Sequence, residues 1–263
     1  MRIVLLGTGG SAGVPLIGGA DGSGNWGACD PNEPRNRRTR TSILIESAAG
    51  NRLLVDTSPD MRAQLLRCRV PGVDALLYTH AHADHITGLD DVRILNRIAG
   101  RPLDAFATKA TLDELTHRFG YAFRPWQPPG FFRPVLVPRE VVPGDTVSIL
   151  GTPIRLFEQS HGYSPSLGLR TGGFGYSTDV FELDHAALDV LEGVDTWVVG
   201  CFLRTGPHTT HASLAQVLDW VQRVRARRTV LTHMGPDMDW GWLVANLPAG
   251  VEPGHDGMVL DLT

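Results

Sequence analysis

The sequence predicts an α/β fold in which two mixed β-sheets pack face to face and helices cover the outside. Three observations carry this. Short β-rich runs fall into two blocks, one early in the chain and one from residue 147 onward. Helix-period stretches interleave with both blocks instead of forming a separate bundle. Residues with metal-binding chemistry stand where strands hand over to loops, the place where a rigid scaffold displays reactive groups.

In chain order, residues 2–6 read as a strand that ends in the turn Gly7-Thr8-Gly9-Gly10-Ser11-Ala12-Gly13. Its G-x-G-G-x-x-G spacing, with no βαβ unit behind it, is not a nucleotide-binding fingerprint, and the turn is expected near the floor of a site. A loop rich in Gly, Pro and Asn runs to about Arg40, and strands follow at 42–46 and 52–55. Ser58-Pro59-Asp60 reads as a helix start with proline in the first helical position, the helix running to about Cys68. Residues 75–78 are a buried-type strand that delivers His80. Helical spacing recurs near 88–98, 111–119 and 184–191. It is clearest at 213–225, capped by Ser213 and apolar at Leu214, Val217, Leu218 and Val221. Further strands are expected at 147–150, 154–158, 167–171, 174–177, 196–199, 229–231 and 258–262. The proline-rich stretch Phe123–Pro143 reads as an insertion or flap. With no repeat and no linker, residues 1–263 are expected to form a single domain.

A hydrophobic share of 42% and a charged share of 20% suit a chain that buries a full core. Lys+Arg number 24 against 28 Asp+Glu, a net charge of −4. A protein that grips long nucleic acid usually has a broad basic footprint, so a stable nucleic-acid complex is not expected. The one basic cluster is Arg35, Arg37, Arg38 and Arg40. It reads as a solvated charge run or as a source of positive charge for a substrate, with Arg40 the substrate-binding candidate. Cys29, Cys68 and Cys201 form no C-x-x-C pair, which points to a reducing compartment and away from disulfides or a cysteine zinc site. The apolar N-terminal run is too short for a secretory segment, and no stretch approaches the ~20 apolar residues of a membrane span. A cytoplasmic protein without a membrane partner is expected, and a homodimer is a reasonable assembly on base rates.

His80-Ala81-His82-Ala83-Asp84-His85 packs four metal-ligand side chains into six residues. At an extended strand end His80 and His82 point to one side. The chain then turns, so Asp84 and His85 can face a second point nearby. Neutral imidazole and carboxylate suit zinc, and also manganese or iron. A surface histidine-rich turn is the alternative. Two metal sites need further ligands at later strand ends, and His161, Asp179 and His233 stand there, Asp179 being the natural bridging carboxylate. Singly, each also reads as a capping or solvated polar residue. His117, His185 and His255 have no partner pattern.

Asp56 at a strand end, the His80–His85 motif, then His161, Asp179 and His233 in that order resemble the metallo-β-lactamase superfamily over nearly the whole chain. The resemblance implies a four-layer αββα sandwich and two divalent metal ions per chain, with zinc favoured over manganese or iron. It implies that His80, His82 and His161 hold one ion and Asp84, His85 and His233 the other, with Asp179 bridging. Asp56 would orient the ligands from behind, a job whose loss is costly, although it also reads as a strand-end turn residue. Gly7–Pro15, Trp26-Gly27-Ala28-Cys29, Leu231-Thr232-His233 and Asp256-Gly257-Met258 are more specifically similar to the PhnP-type cyclic phosphate phosphodiesterases. The ribonuclease Z branch shares the metal motif and a histidine before a late helix, which His211 matches. In both branches that histidine assists the phosphate or the leaving oxygen, and His208 is a rival as a substrate-binding residue. One departure stands out. PhnP-type enzymes hold a structural zinc with several cysteines and a second histidine, whereas here only Cys29 remains and Pro236 occupies the histidine's place. That extra zinc is not expected.

The activity implied is metal-dependent hydrolysis of a small-molecule phosphate ester, either a cyclic phosphate or a nucleotide-like diester. His211 would protonate the leaving oxygen or hold the phosphate. Asp84 counts as catalytic as well as a ligand. The same metals activate water toward carbonyls, so a carboxylic ester, thioester or lactone hydrolase stays open. An RNA-processing nuclease and a non-catalytic metal-binding relative stay open too. The acidic balance speaks against the nuclease, and the presence of all seven ligand-type residues against a decayed site.

Overall fold

Strand β1 (Arg2–Gly7) is apolar on both faces, and the architecture follows from covering both. Ile3 and Leu5 enter one core, while Val4 and Leu6 enter another. β2 (Ser42–Glu46), β3 (Arg52–Val55) and β4 (Ala75–Leu77) repeat the alternation, with Leu44, Leu54 and Leu76 on the side of Val4. The computed structural model describes residues 1–262. In it β5 (Leu103–Ala107) and β6 (Leu136–Glu140) extend this sheet in parallel from β4. The second sheet is built from β7 (Thr146–Ile149), β8 (Thr152–Ser160), β9 (Pro165–Thr171), β10 (Phe174–Ser177), β11 (Thr196–Gly200), β12 (Arg228–Thr232) and β13 (Val251–Pro253), in sequential order across the sheet. The chain then returns to lay β14 (Val259–Asp261) antiparallel to β1.

Both sheets are mixed, and their inner faces meet in a core of Ile3, Leu5, Ile43, Leu156, Leu169 and Val198 among others. Helices α1 (Met61–Arg67), α3 (Val92–Ala99) and α4 (Lys109–Phe119) cover the first sheet, with the short α2 (Ala83–Ile86) between α1 and α3 in the chain. Helices α5 (His185–Leu191), α6 (Leu214–Val224) and α7 (Trp240–Asn246) cover the second. The result is the four-layer αββα sandwich. Ser213 and Gln216 form a capping box on α6, and Asp184 and Asp239 cap α5 and α7, contacts worth about 1 kcal/mol each. Among the described residues, no helix is long and apolar enough to cross a membrane.

Two expectations are corrected. α1 starts later than its proline suggests: Pro59 lies outside the helix and Asp60 is the N-cap residue. Its carboxylate does not cap α1 but accepts a hydrogen bond from the Arg40 N–H at 2.9 Å. The supposed flap of residues 123–143 is in part sheet, because Leu136–Glu140 pairs with β5. Pro138 hid this strand, yet a proline that cannot donate to a ladder is tolerated at a sheet edge, which is where β6 lies. β13 carries Pro253 at the edge of the other sheet and was missed for the same reason.

Candidate metal centre

The parallel strands β3, β4, β10, β11 and β12 end along one rim of the sandwich, and the chain crosses that rim at Asp56, His80, Asp179, Cys201 and His233. Asp56 (φ 65°), Asp179 (φ 48°) and His233 (φ 52°) are three of the six non-glycine residues with positive φ among those described. A left-handed residue costs roughly 1–2 kcal/mol, and here it turns the backbone sharply just past β3, β10 and β12.

The seven predicted ligand residues come together. Asp179 is the hub: its Oδ1 lies 3.2 Å from His233 Nε2, 3.6 Å from His161 Nε2 and 3.9 Å from His80 Nε2. Its Oδ2 lies 3.0 Å from His85 Nε2, which is also 3.2 Å from Asp84 Oδ2. His82 Nδ1 is 3.2 Å from His161 Nε2. The predicted ligands form two sets, His80/His82/His161 and Asp84/His85/Asp179/His233, and a third group, His161/Asp179/His211, overlaps them; within each group the ligand atoms lie within 4.8 Å of one another. Ligands about 2.0–2.1 Å from a tetrahedral zinc are about 3.3 Å apart, so these spacings fit divalent cations. The Nε2 atoms of His80, His85 and His233 are buried without a well-aligned hydrogen bond, a costly arrangement unless a cation takes the lone pairs.

Asp56 orients two of the imidazoles. Its Oδ2 accepts from His85 Nδ1 at 2.7 Å, while its Oδ1 accepts the Thr79 N–H at 2.8 Å. Thr79 Oγ1 donates to Asp56 at 2.8 Å and can accept from His80 Nδ1 at 3.0 Å, which leaves Nε2 of His80 free to ligate. His161 is held by Nδ1 donating to the Thr210 carbonyl at 2.7 Å. Thr79 and Thr210 escaped sequence reasoning, because nothing in their local pattern marks them. Phe202 escaped too. Its ring packs 4.8 Å from His211 and 5.2 Å from His208, and a side chain at Gly10 would meet it at 2.6 Å. Gly10 is therefore a close-approach glycine, and the glycine turn does lie at the site.

His211 stands over the cluster, its ring centroid 4.7 Å from His233 and 4.8 Å from His161. Burial and the neighbouring His233 push its pKa down to about 3. Burial likewise lowers His80 and His161. Burial opposes charge on His85 as well, but Asp179, Asp56 and Asp84 outweigh it and hold His85 well above the usual histidine range. Asp179 and Asp84, despite burial, are held low by the imidazoles around them. A cation at Nε2 of His85 therefore has to compete with a proton that Asp179, Asp56 and Asp84 favour. Metal binding near pH 7 is expected to release on the order of one proton, read by calorimetry in buffers of different ionisation enthalpy. A heat independent of the buffer would refute the charged state of His85.

The arginine cluster is a solvated run only in part: Arg35 and Arg37 are exposed, Arg40 is half-buried and Arg38 is buried. Arg38 is only 2% exposed, next to Cys29 Sγ at 3.8 Å. Arg35 pairs with Glu33 and stacks on Trp240, and Arg37 stacks on Trp26. The Arg40 side chain is engaged by Asp60 at 3.1 Å, so its charge is partly neutralised. His208 accepts the Thr210 N–H through Nδ1 at 3.2 Å, which fixes its ring beside Phe202.

Fold and site together define a metal-dependent hydrolase with a dinuclear divalent metal site. The family model for the beta-lactamase superfamily domain matches residues 51–234, and the chain belongs to that superfamily. Within it the chain is PhnP-like: the crystal structure of a diphosphatase from the PhnP family is 31% identical with a TM-score of 0.89, covering 100% of this chain and 98% of that one. An octanoyltransferase of Porphyromonas gingivalis is 31% identical over 98% of this chain, which spans only 51% of that protein's length. The anti-Pycsar protein Apyc1 of Bacillus phage 010DV004 is 28% identical over 75% of this chain and 83% of its own.

Proposed function

We propose that the protein is a phosphodiesterase acting on a small cyclic phosphate or a nucleotide-like diester. The observation that carries this reading is His211, a nitrogen donor packed against both His161 and His233 where a phosphoryl oxygen would lie. The diphosphatase activity of the PhnP-family neighbour is also phosphorus chemistry. In this reading His80, His82 and His161 would hold one cation and Asp84, His85 and His233 the other, with Asp179 placed to serve both. Zinc suits the imidazole-rich sets best. Two such ions, when bound, bring the pKa of water toward neutrality and withdraw charge from a phosphoryl oxygen.

The chain's own groups do the rest. Asp84, its side chain 11% exposed and held ionised, can accept a hydrogen bond from the attacking water. With a pKa pushed down to about 3, His211 is neutral at physiological pH and donates an N–H to the phosphate or leaving oxygen. It becomes a proton donor only when substrate charge raises that pKa. The Phe202 ring packs against His211. A cleft of about 420 Å³ beside His161 is lined by Glu158, Tyr163, Glu182 and Asp184 among others.

A second reading is acyl ester or thioester hydrolysis, since a metal pair that activates water toward phosphorus also activates it toward a carbonyl; the octanoyltransferase likeness spans only 51% of that protein's length. Bis-p-nitrophenyl phosphate and p-nitrophenyl octanoate, each assayed with and without chelator, separate the two. Chelator-sensitive phosphodiester turnover, restored by zinc or manganese, supports the first reading. Turnover of the octanoate alone moves the function to acyl chemistry. His211→Ala is expected to keep two bound metals and lose about 10²-fold in phosphodiester turnover. Full turnover in the metal-replete variant would remove His211 from the mechanism.

A further inference from the structure

His233 differs from its neighbours in how it is aimed. The Nδ1 atoms of His80, His85 and His161 each meet an oxygen that orients the ring, whereas neither nitrogen of His233 makes a well-aligned hydrogen bond. With no such bond, its direction rests on ring packing against His211 and His85 and on the main chain, a left-handed residue and the segment that follows it. On one side that segment is pinned by backbone bonds: Met234 N to Thr8 O at 2.9 Å, Gly10 N to Met234 O at 3.2 Å and Gly235 N to Phe202 O at 3.0 Å.

On the other side the Ala28 N–H holds the Pro236 carbonyl at 2.9 Å, the Asp237 carboxylate accepts the Arg204 N–H at 2.8 Å, and one buried side chain grips two further carbonyls. Arg38 Nη2 donates to the Met238 carbonyl at 2.6 Å, and Nη1 donates to the Gly235 carbonyl at 3.4 Å. Nη2 also reaches Asn36 Oδ1 at 3.2 Å, which in turn accepts the Trp240 N–H at 2.8 Å. The main chain of Arg38 is bonded to Val14 in both directions, at 2.8 and 2.9 Å, so the guanidinium projects from a fixed base. Among the described residues, no carboxylate hydrogen-bonds this buried cation. Burying a guanidinium on carbonyls, an amide and a thiol is costly, so the contacts it makes must matter to the loop. A planar fork can hold two carbonyls three residues apart from a single stem, and an ammonium cannot match that geometry.

We infer that Arg38 is the positioning residue for His233 and so sets the affinity of the cation site that includes His233, Asp84 and His85. The inference rests on the reading of the cluster as a two-metal centre. Stepwise zinc dissociation constants, measured by competition with a chromophoric chelator, test it in the wild type, Arg38→Met and Arg38→Lys. His233→Ala identifies which of the two constants belongs to that site, and the visible spectrum of the cobalt-substituted protein reports its geometry. The expected result is that Arg38→Met weakens that one constant by about 10–100-fold and alters the cobalt spectrum, while the other constant holds. Arg38→Lys, which keeps the charge without the fork, fails to restore it. If Arg38→Met does not fold, the same two constants in Arg38→Lys decide. Two unchanged constants, or two constants weakened equally as general loosening would give, overturn the role of Arg38. A wild-type chain that takes up no metal overturns the two-metal reading beneath it.

Discussion

Asp179→Ala is expected to bind at most one equivalent of divalent metal and to lose at least about 10³-fold in hydrolytic turnover, the equivalent of several kcal/mol of charge stabilisation. The Asp179 carboxylate reaches both ligand sets, within 3.9 Å of four imidazole nitrogens. Its removal leaves those rings facing one another at the centre of the site without the carboxylate that lies between them. Elemental analysis of the purified variant, beside turnover of bis-p-nitrophenyl phosphate, makes the measurement. Retention of two equivalents would refute the bridging assignment, whatever happens to activity.

The second large effect is expected at Asp56. Asp56→Ala removes the acceptor for His85 Nδ1, the Thr79 N–H and the Thr79 hydroxyl together. Zinc affinity should fall by about 10–100-fold, because a freed imidazole no longer points its lone pair at the ion. Unfolding free energy should fall by about 3 kcal/mol, since a buried pair loses one partner while the other stays buried. Asp56→Asn distinguishes this from a turn-residue role. Asparagine tolerates the left-handed backbone at φ 65° but cannot supply a carboxylate to both His85 and Thr79. If Asp56→Asn binds zinc as tightly as the wild type, Asp56 serves only the turn.

Much of the site was legible because its chemistry is local. His80, His82, Asp84 and His85 declare themselves within six residues, and the other ligands each follow a strand whose pattern is readable. The residues that orient them were not legible. Thr79 matters because Asp56 arrives from another strand, and Thr210 because its carbonyl meets a ring 49 positions earlier in the chain. Edge strands were lost for a related reason. Proline argues against a strand in sequence, and only the sheet order reveals that β6 and β13 have no outer neighbour for a missing N–H to serve.

By itself the sequence determined the α/β sandwich, the metal-ligand chemistry and the strand ends that present it, since periodicity and side-chain type are properties of a short window. Tertiary structure alone decided the charge states and the fate of the arginines. Four arginines in six residues look alike in sequence, yet one is buried on carbonyls roughly 200 positions away, two stack on tryptophans and one pairs with Asp60. His211 and His85 are both histidines beside carboxylates, yet one is driven neutral and the other held charged. Desolvation and Coulomb energy depend on what surrounds a group in space, and in this fold those surroundings come from distant parts of the chain.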